Sequence, residues 1–175
     1  MKKNKTVDIA TVALCSALMC VCSLIQIPSA IPFTLQTFAV FFVSITFGLK
    51  KALISTVIYI LLGAVGLPVF SGFQGGIGVL TGATGGFILS FIPAAVTVSL
   101  ISHKAGKSFL ASSLSCIPGL LLCYASGIIW YSFIFGGGSI KSAFFVCVLP
   151  FIVPDILKIL LAVTVSKRIQ PLINR

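Results

Sequence analysis

The chain has 175 residues, of which 58% are hydrophobic and only 8% charged, far from the quarter of charged residues in a soluble domain; it must live in lipid. A net charge of +10 does not mark a nucleic-acid surface here, because ten of the twelve Lys and Arg sit in clusters between apolar runs instead of on one polar face. The six cysteines lie inside apolar runs without a C-x-x-C pair, which excludes a disulfide frame or a zinc site and leaves small buried residues.

Allowing about 17–25 residues per span, the sequence predicts an all-α polytopic membrane protein, a single domain over 1–175 with six transmembrane helices at roughly 8–27, 34–49, 51–66, 78–102, 108–134 and 150–168. The opening MKKNKTVDIATVALCSALMCVCSLIQIPSA has the basic head and apolar stretch of a signal peptide. Its apolar run is longer than a signal core and is followed by further spans, so it is read as an uncleaved first helix. Within it Ala13-x-x-x-Ala17 presents a strip of small residues. Such a strip permits close helix approach, either to a partner protein or to a neighbouring helix.

Pro28 and Pro32 then fix an outer loop and end the first helix. Gln36 and Thr37 enter the second span as uncharged polar groups, lining a cavity or bonding within the bundle. Little more than Lys50-Lys51 separates the second and third spans. From Gly63 to Pro93 the chain is unusually rich in glycine, with seven glycines between residues 72 and 86. Glycine weakens a helix, so this density suits a tightly folded outer loop and a backbone that approaches a neighbour or ligand closely. It is not a phosphate loop, because no Lys and Ser/Thr follow its glycines.

The fourth span ends in SHKAGKS, where His103 reads as a solvated turn residue. The fifth ends in Phe135-Gly-Gly-Gly-Ser139, with Trp130 and Tyr131 as interfacial aromatics or as cover for a pocket. Residues 139–149 read as an outer helix leading into the last span. Placing the N-terminus in the cytoplasm puts Lys2, Lys3, Lys5, Lys50, Lys51, Lys104, Lys107, Lys167, Arg168 and Arg175 inside and only Lys141 outside. The positive-inside rule therefore places both termini in the cytoplasm.

The last span holds the one acid–base pair of the apolar sequence, in PFIVPDILKILLA (150–162). Asp155 and Lys158 are three apart and share a helix face, within reach of each other or of a ligand between them. Ionisable groups at membrane depth face a partner or a cavity, so the pair is either a ligand contact or an internal salt bridge that fixes packing. Two acids and one histidine provide no catalytic triad and no metal centre. Asp8 and Asp155 fall at opposite membrane faces, roughly 30 Å apart, which excludes an aspartyl protease dyad. One Asp–Lys pair makes no ring of like charges for an ion channel. The remaining function is a small-molecule site, driven by an ion gradient or by another protein if it moves its ligand uphill.

Three segments, IPFTLQTFAV (31–40), LLGAVGLPVFSGFQGGIGVLTGATGGF (61–87) and PFIVPDILK (150–158), occur in an order and spacing that resembles the BioY family, the biotin-specific S components of energy-coupling factor (ECF) transporters. The resemblance implies a six-helix protein of a bacterial cytoplasmic membrane that captures biotin as transported ligand, with no cofactor and no enzymatic activity of its own. It also implies a transmembrane coupling protein and two cytoplasmic ATPase subunits as partners. Asp155 and Lys158 resemble the family's polar ligand contacts. Gln74, Gly75, Gly76, Thr84, Gly85, Gly86 and Phe87 are similar to its lid and pocket wall, and Ala13 and Ala17 to its docking strip for the coupling protein. Where the family often has Pro-Thr-Gly-Gly-Tyr, this chain has Ala83-Thr84-Gly85-Gly86-Phe87 and lacks the tyrosine hydroxyl. An S component for another vitamin, or a structural membrane subunit, are the alternatives.

Overall fold

The structure, a computed structural model, describes residues 5–29, 31–106, 108–136 and 138–173; Lys2, Lys3, Lys107 and Arg175 of the basic clusters lie outside the described residues. The chain runs through α1 (Lys5–Leu24), a short antiparallel pair β1 (Gln26–Ile27) and β2 (Phe33–Thr34), α2 (Gln36–Ala64), α3 (Ile77–Thr81), α4 (Gly85–Ala105), α5 (Phe109–Ile129), α6 (Ile140–Cys147) and α7 (Ile152–Ile173). A π-helical turn, Trp130–Ile134, prolongs α5, and a 3₁₀ turn, Leu149–Phe151, leads into α7. The helix expected before the last span is present as α6.

Among the described residues five helical stretches are long and apolar enough to cross a membrane, and the second of them is α2. That helix doubles back. Gln36 donates its side-chain amide to the Tyr59 hydroxyl, a pair that a straight helix would hold about 35 Å apart. The reversal sits at Gly48, whose φ of +76° and ψ of 175° break the helix. Only glycine takes that φ without steric cost, so the turn falls there and not at Lys50-Lys51, which begin the returning arm. With α2 divided into the arms 36–47 and 49–64, the helices follow the predicted order.

Side-chain bonds fix the directions of the helices. Thr37 meets Asp155, and Thr46 meets Ser166 at 2.9 Å, so the first arm of α2 runs parallel to α7. Asp8 pairs with Lys51 at 2.8 Å, and Ser16 donates to Ser55 O at 3.1 Å, so α1 runs parallel to the second arm. Lys51, the Gly48 turn, His103 and Lys167 therefore gather at one end of the bundle, and the β1–β2 hairpin, α3 and α6 at the other. Helices α4 and α5 pack closely because Gly119 and Gly127 admit the side chains of Val98 and Phe87; a Cβ on Gly127 would lie 2.2 Å from the Phe87 ring.

One predicted span is corrected. Residues 78–102 are not one helix: α3 stops at Thr81, Gly82 is extended with a ψ of −173°, and α4 begins only at Gly85. The glycines that interrupt the helix make its first turns a loop over the bundle end.

Candidate functional site

A cavity of about 660 Å³ opens at the hairpin end, between residues 26–29 and 31–34, the start of α2, the glycine-rich loop 70–84 and helices α4, α5 and α7. Its walls are largely apolar, with Ile31, Phe70, Val79, Phe87, Phe91, Leu120 and Phe151 among them. Tertiary contacts hold the two loops in place. Phe33 of β2 stacks on Phe151 with ring centroids 4.2 Å apart. Phe70 is fully buried against Tyr59, edge to face at 5.6 Å. Ser71 donates to Gln26, joining the loops at the cavity mouth, and Ser23 donates to the carbonyl of Val69.

The polar floor is built on α7. Asp155 is 2% exposed and Lys158 9%, and one helical turn brings Lys158 Nζ to 2.8 Å from Asp155 Oδ1. Two hydroxyls complete the carboxylate shell. Thr37 Oγ1 donates to Oδ1 at 3.1 Å, and the Tyr124 hydroxyl donates to Oδ2 at 2.8 Å. All four residues line the cavity. Closer to the hairpin, Thr34 donates to Gln36 Oε1 at 2.8 Å, and both of these residues also face the cavity.

Of the residues predicted for the site, Asp155, Lys158, Gln74, Gly75, Thr84 and Phe87 line the cavity. Gly76, Gly85 and Gly86 are not among its lining residues and serve the framework instead. Gly76 donates its N–H to Gly63 O at 2.7 Å and starts α3. A Cβ on Gly85 would lie 1.8 Å from Leu80 O, and one on Gly86 2.3 Å from Trp130 Cβ. These two glycines let the glycine-rich loop and α5 close on α4. Trp130 is not among the cavity's lining residues; its indole N–H donates to Gly82 O at 2.9 Å and so supports the glycine-rich loop.

Sequence reasoning does not single out Tyr124. The available signal is a phenol in the middle of an apolar span, which needs a hydrogen-bond partner when buried. Thr37 and Gln36, noted as polar groups entering the second span, do both things expected of them: they line the cavity and bond within the bundle, Thr37 to Asp155 and Gln36 to Tyr59. On α1, Ala13 and Ala17 are both exposed, so the small-residue strip is not buried against a neighbouring helix of this chain.

Asp155 offers about four lone-pair positions, and three are filled. The floor can therefore give a ligand one further acceptor position and the two remaining N–H donors of Lys158, all inside an apolar enclosure. That arrangement is a small-molecule recognition site.

The chain is similar to known proteins in fold and in sequence. A crystal structure of "the S-component for biotin from an ECF-type ABC transporter" superposes with a TM-score of 0.89 at 23% identity, covering 98% of this chain and 95% of that one. It shares this fold. The "Probable biotin transporter BioY" of Pyrococcus horikoshii is 40% identical over 95% of this chain and 98% of its own length. The "Biotin transporter BioY" of Thermotoga maritima is 37% identical over 90% of this chain and 92% of its own length. The family model of the BioY family matches residues 1–175, and this multi-pass membrane protein belongs to that family.

Proposed function

We propose that the cavity captures biotin from the outer face of a bacterial cytoplasmic membrane and that the protein is the substrate-binding S component of an ECF transporter. The observation that carries this reading is the polar floor formed by Asp155, Lys158, Thr37 and Tyr124 beneath apolar walls. A urea matches that floor. Its carbonyl oxygen accepts from Lys158, and one of its N–H groups donates to the remaining lone pair of Asp155. A carboxylate at the same depth would face the Asp155 charge, so the valerate tail of biotin points toward the mouth, where Gln26, Ser29, Ser71 and Gln74 line the opening. The bicyclic ring then lies against Phe87, Phe91 and Phe151.

The chain has no phosphate-binding motif, so energy for uphill transport comes from outside it: a transmembrane coupling protein and two cytoplasmic ATPase subunits. The exposed face of α1 with Ala13 and Ala17 is the docking strip, since small residues permit close approach of a partner helix. The concentration of basic residues at the Gly48 end favours a cytoplasmic location for that end and for both termini.

Equilibrium binding of labelled biotin to the purified protein, competed with other vitamins, tests the reading. Saturable binding displaced by unlabelled biotin and not by thiamine or riboflavin is expected. Displacement by another vitamin in preference would reassign the substrate, and absence of any binding would reduce the Asp155–Lys158 pair to a packing element.

A further inference from the structure

Asp155 has more donors than an ion pair requires. Lys158 alone would compensate its charge, yet Thr37 from the first arm of α2 and Tyr124 from the middle of α5 also donate to it, at 3.1 and 2.8 Å. Two other elements thus converge with α7 on one carboxylate 2% exposed at the floor of the cavity. Tyr124 is itself buried, 9% exposed. These bonds run across the bundle, so neither hydroxyl simply satisfies its own helix.

Two consequences follow from the chemistry of the shell. Donors on both oxygens prevent the carboxylate from rotating, which in turn fixes the direction of Lys158 Nζ. They also occupy acceptor capacity that a ligand would otherwise use. A bare carboxylate at the bottom of an apolar cavity attracts cationic and multiply N–H-donating head groups, because charge-assisted hydrogen bonds are about twice as strong as neutral ones. With both oxygens engaged, the outstanding polar group is the Lys158 ammonium, a donor that favours a carbonyl oxygen and repels a cation.

We infer that Tyr124 and Thr37 are positioning residues that determine specificity: by filling two of the acceptor sites of Asp155 and leaving one for a single ligand N–H, they make the floor select a neutral, carbonyl-bearing head group over a cationic one. The inference rests on the biotin reading of the cavity. Removing the Tyr124 hydroxyl leaves Oδ2 as a bare acceptor beside the cavity, and the preference for a neutral urea weakens.

The test compares equilibrium binding of biotin with that of its cyclic guanidine analogue, in which a nitrogen that carries a proton at neutral pH replaces the urea oxygen. The proteins are the full-length chain, Tyr124→Phe and Thr37→Val, both nearly isosteric changes. Tyr124→Phe is expected to reduce the biotin-to-guanidine affinity ratio about tenfold, the low end of a hydrogen bond to a charged group, because the acceptor it frees on Oδ2 takes a charge-assisted bond from the guanidinium. Thr37→Val should move the ratio in the same direction. A tyrosine that merely stabilised the fold would weaken both ligands together, so an unchanged ratio in a protein that binds biotin overturns the inference. If Tyr124→Phe does not fold, Thr37→Val decides by the same ratio. An unmodified protein that binds neither ligand overturns the biotin reading and this inference with it.

Discussion

Removing both charges of the floor, in Asp155→Asn/Lys158→Met, separates recognition from packing in a way that neither single change does. Breaking a buried pair by removing one partner costs roughly 3–5 kcal/mol, because the other charge is left uncompensated. The structure ranks the two single variants within that range. In Lys158→Met the carboxylate keeps the donors Thr37 and Tyr124, which places the cost near the lower end, about 3 kcal/mol. In Asp155→Asn the ammonium loses the carboxylate that accepts from it, which places the cost near the upper end, about 5 kcal/mol. The double variant has no uncompensated charge. The carbonyl oxygen of the introduced side-chain amide still accepts from one hydroxyl, and the Tyr124 hydroxyl can turn to accept from the amide N–H. Its stability should therefore return to within about 1 kcal/mol of the parent, as replaced buried pairs often do.

Binding behaves differently. If Lys158 donates to the ligand, the double variant lacks a charge-assisted hydrogen bond worth roughly 1.5–3 kcal/mol, about a 10- to 150-fold loss of biotin affinity. Denaturant unfolding in detergent and equilibrium binding of labelled biotin on the same three variants provide both numbers. Recovered stability with lost affinity is the expected pattern. A folded double variant that binds biotin with near-parental affinity would refute the reasoning and assign the pair to packing.

The other predictions concern separate parts of the molecule. Replacing Ala13 and Ala17 with Leu on the exposed face of α1 should change stability by no more than about 0.5 kcal/mol and leave biotin binding intact while abolishing uptake with the coupling protein; normal uptake would remove the docking role. Gly86→Ala places a Cβ 2.3 Å from Trp130 Cβ and 2.7 Å from Ser126 O, so overpacking should cost about 1–3 kcal/mol of stability, measurable by thermal unfolding, with a saturated-ligand fraction that falls only as the fold is lost. In a background without the six native cysteines, a cysteine at Ser71 or Ser139 should react with an impermeant thiol reagent from outside intact cells; reaction only after the membrane is opened would invert the topology.

What the sequence makes legible follows from local physics. Apolar runs of membrane length, broken by Pro, Gly and Lys, define crossings because lipid demands that each backbone group be satisfied within its own helix. The Asp155–Lys158 pair is legible because a three-residue spacing is a local property of one helix. The Gly48 reversal lies only a few residues from the expected turn, since charge marks where a chain leaves lipid and glycine marks where it can turn. The error at 78–84 has the same origin: apolar composition allows a helix there, whereas the backbone at Gly82 follows from the loop packed above it.

The hydroxyls that complete the floor are another matter. Thr37 lies 118 residues from Asp155 in sequence, and Tyr124 lies 31 residues away, so no spacing rule connects them. Their meeting depends on how α2, α5 and α7 pack, and that depends on close contacts such as Gly119 against Val98 and Gly127 against Phe87. The same division explains the glycine-rich stretch, which as a sequence looks like one functional unit. Gly75, Gly78 and Gly82 border the cavity, whereas Gly85 and Gly86 hold α4 against its neighbours, so the stretch performs two tasks whose boundary only packing reveals. The fold is thus largely a local consequence of lipid, but the polar floor is assembled across helices. The position of Tyr124 relative to Asp155 therefore depends on helix contacts such as Gly119 and Gly127, which lie outside the cavity lining.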